Sequence, residues 1–296
     1  MPAAEVDVTP ELIRGLLVEQ FPDLGGLPVL EIANGWDNVM FRLGDDLAVR
    51  APRRNAAATL IDHEQSVLGE LGTRLPLAVP VPVRAGRPSV ALGYPWNWSV
   101  TPWLPGNMVA DTVLASPPAD ARRLGGFLAA LHVPDDGAAP SNPYRGGFIG
   151  DNLEVNAERT AAVARGDELL VRFRELIDVA PWDHPPVWVH GDLHAANMLA
   201  HDVGGGMRIS AVIDWGDVCA GDPATDLSVA WSLFDADDRS VLRAAASASE
   251  FGIDDATWQR AQAWAVHFAI MYELHSADNP TMAAIGSRLV ASLLDG

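Results

Sequence analysis

The 296-residue chain reads as an α+β protein in two parts: a small N-terminal antiparallel β-sheet with a helix, then a larger, mainly helical part. Three observations predict this. Short β-like runs at residues 29–33, 39–43 and 47–51 are separated by the turn sequences Asn34-Gly35 and Gly44-Asp45-Asp46. Beyond Gly106, apolar residues recur at helical spacing. The length also reaches the size, roughly 250–300 residues, at which a single hydrophobic core stops growing. The boundary falls after Leu104, giving parts 1–104 and 105–296.

Taken in order, Thr9-Pro10 followed by Leu12, Ile13, Leu16 and Leu17 predicts an N-capped amphipathic helix to Gln20, with proline at its first position. After the three β-like runs, residues 56–71 carry a helical pattern that includes Glu64. Residues 76–82 form a proline-rich connector, and residues 94–106 read as a strand leading into a stiff link made of Pro102, Trp103 and Leu104. Trp96 and Trp98 are expected in the core. Leu124, Phe127, Leu128 and Leu131 form the buried stripe of a helix over residues 119–132. A second, arginine-rich helix is expected over 157–177, and two more, at 239–250 and 257–275, close the chain. No internal repeat or low-complexity tract interrupts this order.

Composition narrows the function. Apolar residues make up 49% of the chain, which is globular rather than disordered. There is no run of about 18 apolar residues and no basic-then-apolar N-terminus, so a soluble, cytoplasmic protein without a membrane partner is expected. The single cysteine, Cys219, excludes an intrachain disulfide, fits a reducing compartment and is read as a small buried residue. All 20 basic residues are arginine, and against 39 acidic residues the net charge is -19. No nucleic-acid partner is expected, because a phosphate backbone needs basic patches. The acid is unevenly spread: 8 arginines face 12 acidic residues up to Leu104, and 12 face 27 beyond it. Such a field in the second part favours a cationic ligand over an anionic one. A monomer or homodimer is expected.

The most informative stretch runs over residues 187–217. Val187-Trp188-Val189 leads into His190-Gly191-Asp192-Leu193-His194-Ala195-Ala196-Asn197, and Ile209-Ser210-Ala211-Val212-Ile213 leads into Asp214-Trp215-Gly216-Asp217. Phosphoryl transfer needs a carboxylate beside the attacking hydroxyl, plus an amide oxygen and a second carboxylate to hold the magnesium that neutralises the phosphates. Asp192, Asn197 and Asp214 supply that set. Asp192 and Asn197 are five residues apart, as in a kinase catalytic loop, and Asp214-Trp215-Gly216 stands where a kinase has Asp-Phe-Gly. An aspartate in a turn is often an Asx-turn residue, and His-x-Asp-x-His also suits a divalent-metal hydrolase. Two motifs at the right separation, each after an apolar strand, favour the kinase-like reading. His190 and His194 are then braces of the loop rather than metal ligands.

This stretch resembles the aminoglycoside phosphotransferases, a branch of the protein-kinase-like fold that phosphorylates small molecules. Residues 190–197 match that family's catalytic loop, 213–215 its metal-binding turn, and Gly221-Asp222-Pro223 with Asp226 the segment that follows; the likeness extends over about residues 29–278. It implies a two-lobed fold with Mg2+ and ATP or GTP between a nucleotide-binding N-terminal lobe and a catalytic, substrate-binding C-terminal lobe. Asp192 would orient the substrate hydroxyl and take its proton, Asn197 and Asp214 would hold metal, and Asp226 would brace the catalytic loop. Arg50 stands where a kinase places its phosphate-contacting lysine, with Glu64 as its carboxylate partner; Arg50-Ala51-Pro52-Arg53 has the Arg-x-Pro-Arg ending of some antibiotic kinases. Arg53 and Arg54 are expected to be solvated. Residues 34–38 occupy the place of a phosphate loop without its glycine pattern, and Asn38 is its candidate phosphate contact; Pro102, Trp103 and Leu104 form the hinge beside the base. Asp235, Asp238 and Glu273 are candidate contacts for a cationic substrate. The implied function is transfer of γ-phosphate to a hydroxyl of an aminoglycoside-type antibiotic. Alternatives are a macrolide or other antibiotic kinase, a sugar or amino-alcohol kinase, and a catalytically silent nucleotide-binding module.

Overall fold

The computed structural model describes residues 3–35 and 37–296, so Trp36 of the candidate phosphate loop lies outside the described residues. The chain divides into two compact units, one of Met1–Thr73 with Val79–Leu104 and one of Arg74–Ala78 with Pro105–Gly296.

In the first unit, helix α1 (Pro10–Gln20) starts where Thr9 accepts a hydrogen bond from the Leu12 N–H at 3.2 Å, and it buries Ile13, Leu16 and Leu17. Strands β1 (Val29–Asn34), β2 (Asn38–Leu43), β3 (Leu47–Pro52), β4 (Arg84–Gly86) and β5 (Trp98–Pro102) form one antiparallel sheet in the order β1-β2-β3-β5-β4. Arg50 lies in the central strand β3, opposite Met40 of β2 and Ser99 of β5. Helix α2 (Asn55–Leu71) is pinned to β5 by Gln65, whose amide donates to Trp98 O at 2.9 Å. The core gathers Leu16, Leu17, Phe41, Val49, Trp96, Trp98 and Val100, so both tryptophans are core residues. Pairing β3 between two strands buries five of its six residues, which places the charge of Arg50 below the surface.

In the second unit, β6 (Asn107–Met108) pairs with β8 (Met198–Asp202), which pairs with β9 (Met207–Val212), while β7 (Val187–Val189) pairs with β10 (Cys219–Gly221). The helices are α3 (Pro117–Leu131), α4 (Leu153–Thr160), α5 (Gly166–Leu176), the short α6 (Ala224–Leu227) and α7 (Val229–Leu233), α8 (Ala236–Ala246), α9 (Asp255–His275) and α10 (Pro280–Leu294). Helix α9 is the central one, with α4, α5, α6 and α10 packed on it, and its run from Ala263 to Ile270 is wholly buried. Its Arg260 makes a buried ion pair with Asp222 at 2.6 Å. Among the described residues, no helix is long and apolar enough to cross a membrane.

Two expectations are corrected. The single helix over 157–177 is two, α4 and α5, broken at Arg165, whose φ is +56°. Gly166 permits the break, because a Cβ there would sit 2.0 Å from the Thr160 carbonyl oxygen. The chain also closes with a third helix, α10, which the apolar periodicity after residue 276 did not bring out; the signal was Asn279-Pro280, where Asn279 accepts from the Met282 N–H at 3.1 Å.

His267 on α9 is buried against Asn156 of α4, its Nδ1 2.9 Å from Asn156 Oδ1, and burial, with the charges of Arg145 and Arg159, pushes its pKa down to about 3. The unfolded chain takes up this proton near pH 6.5 and the folded one does not, so stability falls as pH drops below 6.5. Between pH 7 and pH 5 the group is expected to cost about 2 kcal/mol. Urea denaturation at both pH values should show His267→Gln losing less stability over that interval than the native chain.

Candidate active site

The site in the second unit is built on two strand ends. The chain leaves β7 at Val189, passes through the loop of residues 190–194, tightens into one 3-10 turn at Ala195–Asn197 and enters β8 at Met198. Beyond β9 it passes Ile213 and turns at Asp214. The Ile213 backbone joins the two turns: its N–H donates to Asn197 O at 2.9 Å, and its carbonyl accepts from His190 Nε2 at 3.0 Å. His190 Nδ1 in turn accepts from the Asp192 N–H at 3.3 Å. Both nitrogens of His190 are thereby spent on the backbone, which makes it a brace rather than a ligand. His194 Nδ1 accepts from the Ala196 N–H at 3.2 Å and caps the 3-10 turn.

Below the loop, the buried Asp226 carboxylate accepts from the N–H of His190 at 2.8 Å and of Gly191 at 2.9 Å, and from His132 Nε2 at 3.1 Å. Asp226 is thus the loop brace expected from its place in the sequence. Gly191 has φ +86°, and a Cβ there would come within 2.5 Å of Asp217 O, so this reversal admits only glycine.

Three of the predicted residues meet here. Asn197 Nδ2 donates to Asp192 O at 2.9 Å and lies 3.4 Å from Asp192 Oδ2, while the Ile213 link brings Asp214 to the same end of the hairpin. Asp214 takes a left-handed backbone, φ +62°, which aspartate tolerates better than branched residues, and its side chain is exposed. Burial would raise the Asp192 pKa, but His194, 3.4 Å from Oδ2, and Arg145, 3.4 Å from Oδ1, outweigh it and hold the carboxyl well below the usual carboxylate range. Asp217 is pushed the other way, chiefly by burial and also by the negative charge of Asp192, although Arg145 opposes this. Burial lifts the Cys219 thiol to about 12, so it is an inert neighbour.

Sequence reasoning missed the segment of residues 142–146. Asn142 Nδ2 donates to Asp217 Oδ1 at 2.8 Å, Gly146 O accepts from the Asp222 N–H at 2.8 Å, and Arg145 is carried between Asp192 and Asp217. No periodicity marks an arginine in the non-repetitive run Asn142-Pro143-Tyr144-Arg145-Gly146, so only its neighbours in space reveal it.

In the first unit, Arg50 Nη1 pairs with Glu64 Oε1 at 2.5 Å, with side-chain exposures of 8% and 1%. The strand arginine and the helix carboxylate are therefore partners. Asn38 is buried at the start of β2, and its Oδ1 has no hydrogen-bond partner among the described residues. Arg53 and Arg54 are not solvated: Arg53 is buried and donates to Gly35 O at 3.0 Å, and Arg54 pairs with Asp37. The turn before β2 thus offers a peptide carbonyl, Gly35 O, to one guanidinium and a carboxylate, that of Asp37, to the other. Pro102 ends β5, the Trp103 N–H donates to Asp46 O at 2.7 Å, and Arg42 lies 4.0 Å over the Trp103 ring; Leu104 is half-buried.

Two of the three candidate substrate carboxylates have partners within the second unit. Asp235 caps α8 by accepting from the Asp238 N–H at 2.9 Å, and Glu273 accepts from Ser287 Oγ at 3.1 Å. Asp238 is pushed up in pKa by burial and by Asp235 and Asp237.

Because Asp226 satisfies two buried N–H groups and a histidine, Asp226→Ala is expected to destabilise the chain by about 3 kcal/mol or more. A urea midpoint equal to that of the native chain would show that the loop is held by other means.

The chain matches the family model described as "Phosphotransferase enzyme family" over residues 28–264. It is 31% identical over 232 residues to viomycin phosphotransferase of Streptomyces vinaceus, covering 74% of this chain and 77% of that protein. Among solved structures it is similar to the GDP complex of wild-type aminoglycoside 2'-phosphotransferase-IIIa, with TM-score 0.73, 16% identity, and 97% and 99% of the two chains covered. It is also similar to the apoenzyme of macrolide 2'-phosphotransferase MphH from Brachybacterium faecium, with TM-score 0.65, 25% identity, and 96% and 97% covered. With a family match over most of its length and the kinase-like fold of these neighbours, the chain belongs to the phosphotransferase enzyme family.

Proposed function

We propose that the chain is an antibiotic kinase that transfers the γ-phosphoryl group of ATP or GTP to a hydroxyl of a cationic, aminoglycoside-type antibiotic and so confers resistance. One observation carries the catalytic part of this reading: the Ile213 backbone ties the turn holding Asp214 to the loop holding Asp192 and Asn197. One aspartate with a depressed pKa then stands beside an amide and a second, exposed carboxylate.

In this mechanism Asp192 accepts a hydrogen bond from the substrate hydroxyl, aims its oxygen at the γ-phosphorus and takes up the proton as the new P–O bond forms and the bond to the nucleoside diphosphate breaks. Its low pKa keeps it ionised, as this role requires. The Asn197 amide oxygen and the Asp214 carboxylate are hard oxygen donors of the kind magnesium prefers, and they would hold Mg2+, which neutralises phosphate charge when bound with the nucleotide. Arg50, set by Glu64, would contact the phosphates, where a planar guanidinium can bind two oxygens. Asn38 would contribute to the same phosphates, and Pro102, Trp103 and Leu104 would flank the base. In the second unit the excess of acidic residues supports a cationic acceptor, with Asp235, Asp238 and Glu273 the carboxylates proposed to receive it.

The relatives support the antibiotic class and widen the choice of acceptor. Viomycin phosphotransferase is the 31% identical relative, and solved neighbours include a kanamycin complex and a macrolide enzyme. A macrolide acceptor is the second reading, favoured by Arg50-Ala51-Pro52-Arg53 and by the MphH structure.

A nucleotide-consumption screen with MgATP and MgGTP against viomycin, kanamycin, streptomycin and a macrolide, followed by mass spectrometry of the product, tests the reading. One of these acceptors is expected to gain a single phosphate; consumption without a phosphorylated product from any of them would defeat it. For the acceptor found, Asp192→Asn is expected to lower kcat at least 100-fold, within the usual range for a general base, and to change nucleotide Kd by less than about threefold.

A further inference from the structure

We propose that Arg145 is a positioning residue for phosphoryl transfer, one that holds the Asp192 carboxylate in its working orientation; the inference rests on the kinase reading above. The two oxygens of Asp192 face different groups. Oδ2 lies 3.4 Å from Asn197 Nδ2 and 3.4 Å from His194 Nε2, and Oδ1 lies 3.4 Å from Arg145 Nη2. The loop itself therefore supplies the contacts on one side of the carboxylate. The contact on the other side comes from a segment 47 residues earlier in the chain.

Arg145 is a placed cation rather than a loose surface arm. Its side chain is only 19% exposed, its Nη1 donates to Tyr144 O at 3.3 Å, and its guanidinium lies 5.3 Å from the Phe268 ring centroid of α9. The segment that carries it is fastened at both ends, by Asn142 to Asp217 and by Gly146 to Asp222. Asp217 Oδ2, 4.0 Å from Nη2, gives the guanidinium a second carboxylate, so its position is set by charge on two sides and by an aromatic face on a third.

The length of the contact matters. A short bidentate pair would engage one lone pair on each Asp192 oxygen and narrow the directions from which a hydroxyl proton can arrive. At 3.4 Å the attraction fixes the plane of the carboxylate yet leaves a lone pair on Oδ1 for the acceptor. Without Arg145, Asp192 would be aimed from one side alone, close to Asp217 and to an arriving polyphosphate, and like-charge repulsion would turn it away. Misplacing a reacting group by about 1 Å can cost 100-fold in rate.

The test is a double-mutant cycle of Arg145→Gln with Asp192→Asn, together with Arg145→Lys. Turnover of MgATP and MgGTP is measured with viomycin, kanamycin, streptomycin, a macrolide and water as acceptors, and each variant's melting temperature is recorded. Arg145→Gln is expected to lower kcat at least 30-fold with nucleotide KM changed less than threefold. Arg145→Lys should recover at least a third of the loss on a logarithmic scale. In the Asp192→Asn background, Arg145→Gln should lower the residual rate less than twofold. Should Arg145→Gln fail to fold, the same cycle is read from Arg145→Lys, with a kcat loss of about fivefold or more that vanishes once Asp192 is replaced. The inference is overturned by a kcat within threefold of the native value in Arg145→Gln, or by a loss that persists undiminished in the Asp192→Asn background. An active native enzyme indifferent to Arg145 rejects this role alone, whereas a native chain that transfers phosphate to none of these acceptors rejects the kinase reading and this role together.

Discussion

The backbone of one residue, Ile213, organises the candidate site of the second unit. The Ile213 N–H and carbonyl both point at the loop that begins one strand earlier, the first meeting Asn197 O and the second the His190 ring. A backbone donor and acceptor withdrawn from water must find partners or cost the fold their desolvation, and Ile213 is half-buried. Here satisfying them also sets the separation of the two turns that carry Asp192, Asn197 and Asp214. Cooperation runs further, because His190 can donate to Ile213 only in the tautomer that leaves Nδ1 to accept from the Asp192 N–H. One ring thus couples the turn at Asp214 to the backbone of Asp192, and Asp226 anchors the same loop from beneath through two further N–H groups.

The half-buried carboxylate of Asp192 and the buried ones of Asp222, Asp226 and Glu64 each meet cationic or backbone donors. Asp192 is kept ionised by His194 and Arg145 despite burial, while Asp217, which sees the same guanidinium at longer range, is pushed up. Asp222 is locked to Arg260 within the helical core, and Glu64 to Arg50 within the first unit. The exclusive use of arginine suits these positions, since a guanidinium stays protonated when desolvated and presents several donors in one plane.

Much of this was legible before any coordinates. The three β-like runs became β1, β2 and β3 with ends shifted by at most a residue, because alternating apolar residues and polar turns are local signals. The helix after Thr9 was equally local, its cap and its proline both lying in the first turn. Where the reading failed, the deciding contact was distant or unusual. The helix expected over 157–177 is interrupted because residue 165 takes a left-handed backbone and Gly166 meets the Thr160 carbonyl, which a helical pattern does not announce. Arg53 was expected in solvent because arginines in turns usually are; the carbonyl of Gly35, 18 residues earlier, draws it in.

By itself the sequence determined the two-part α+β plan, the pairing of an arginine strand with a glutamate helix, and the candidate trio Asp192, Asn197 and Asp214. These depend on residue type and spacing along a strand, a helix or a tight turn, which neighbours in the chain dictate. Only the tertiary structure decided that Asp192 is faced from its far side by Arg145 and that Arg53 and Arg54 serve the turn before β2. Those facts turn on ångström-scale proximity between segments remote in sequence, and a charged side chain carries no local mark of which distant partner will compensate its loss of water.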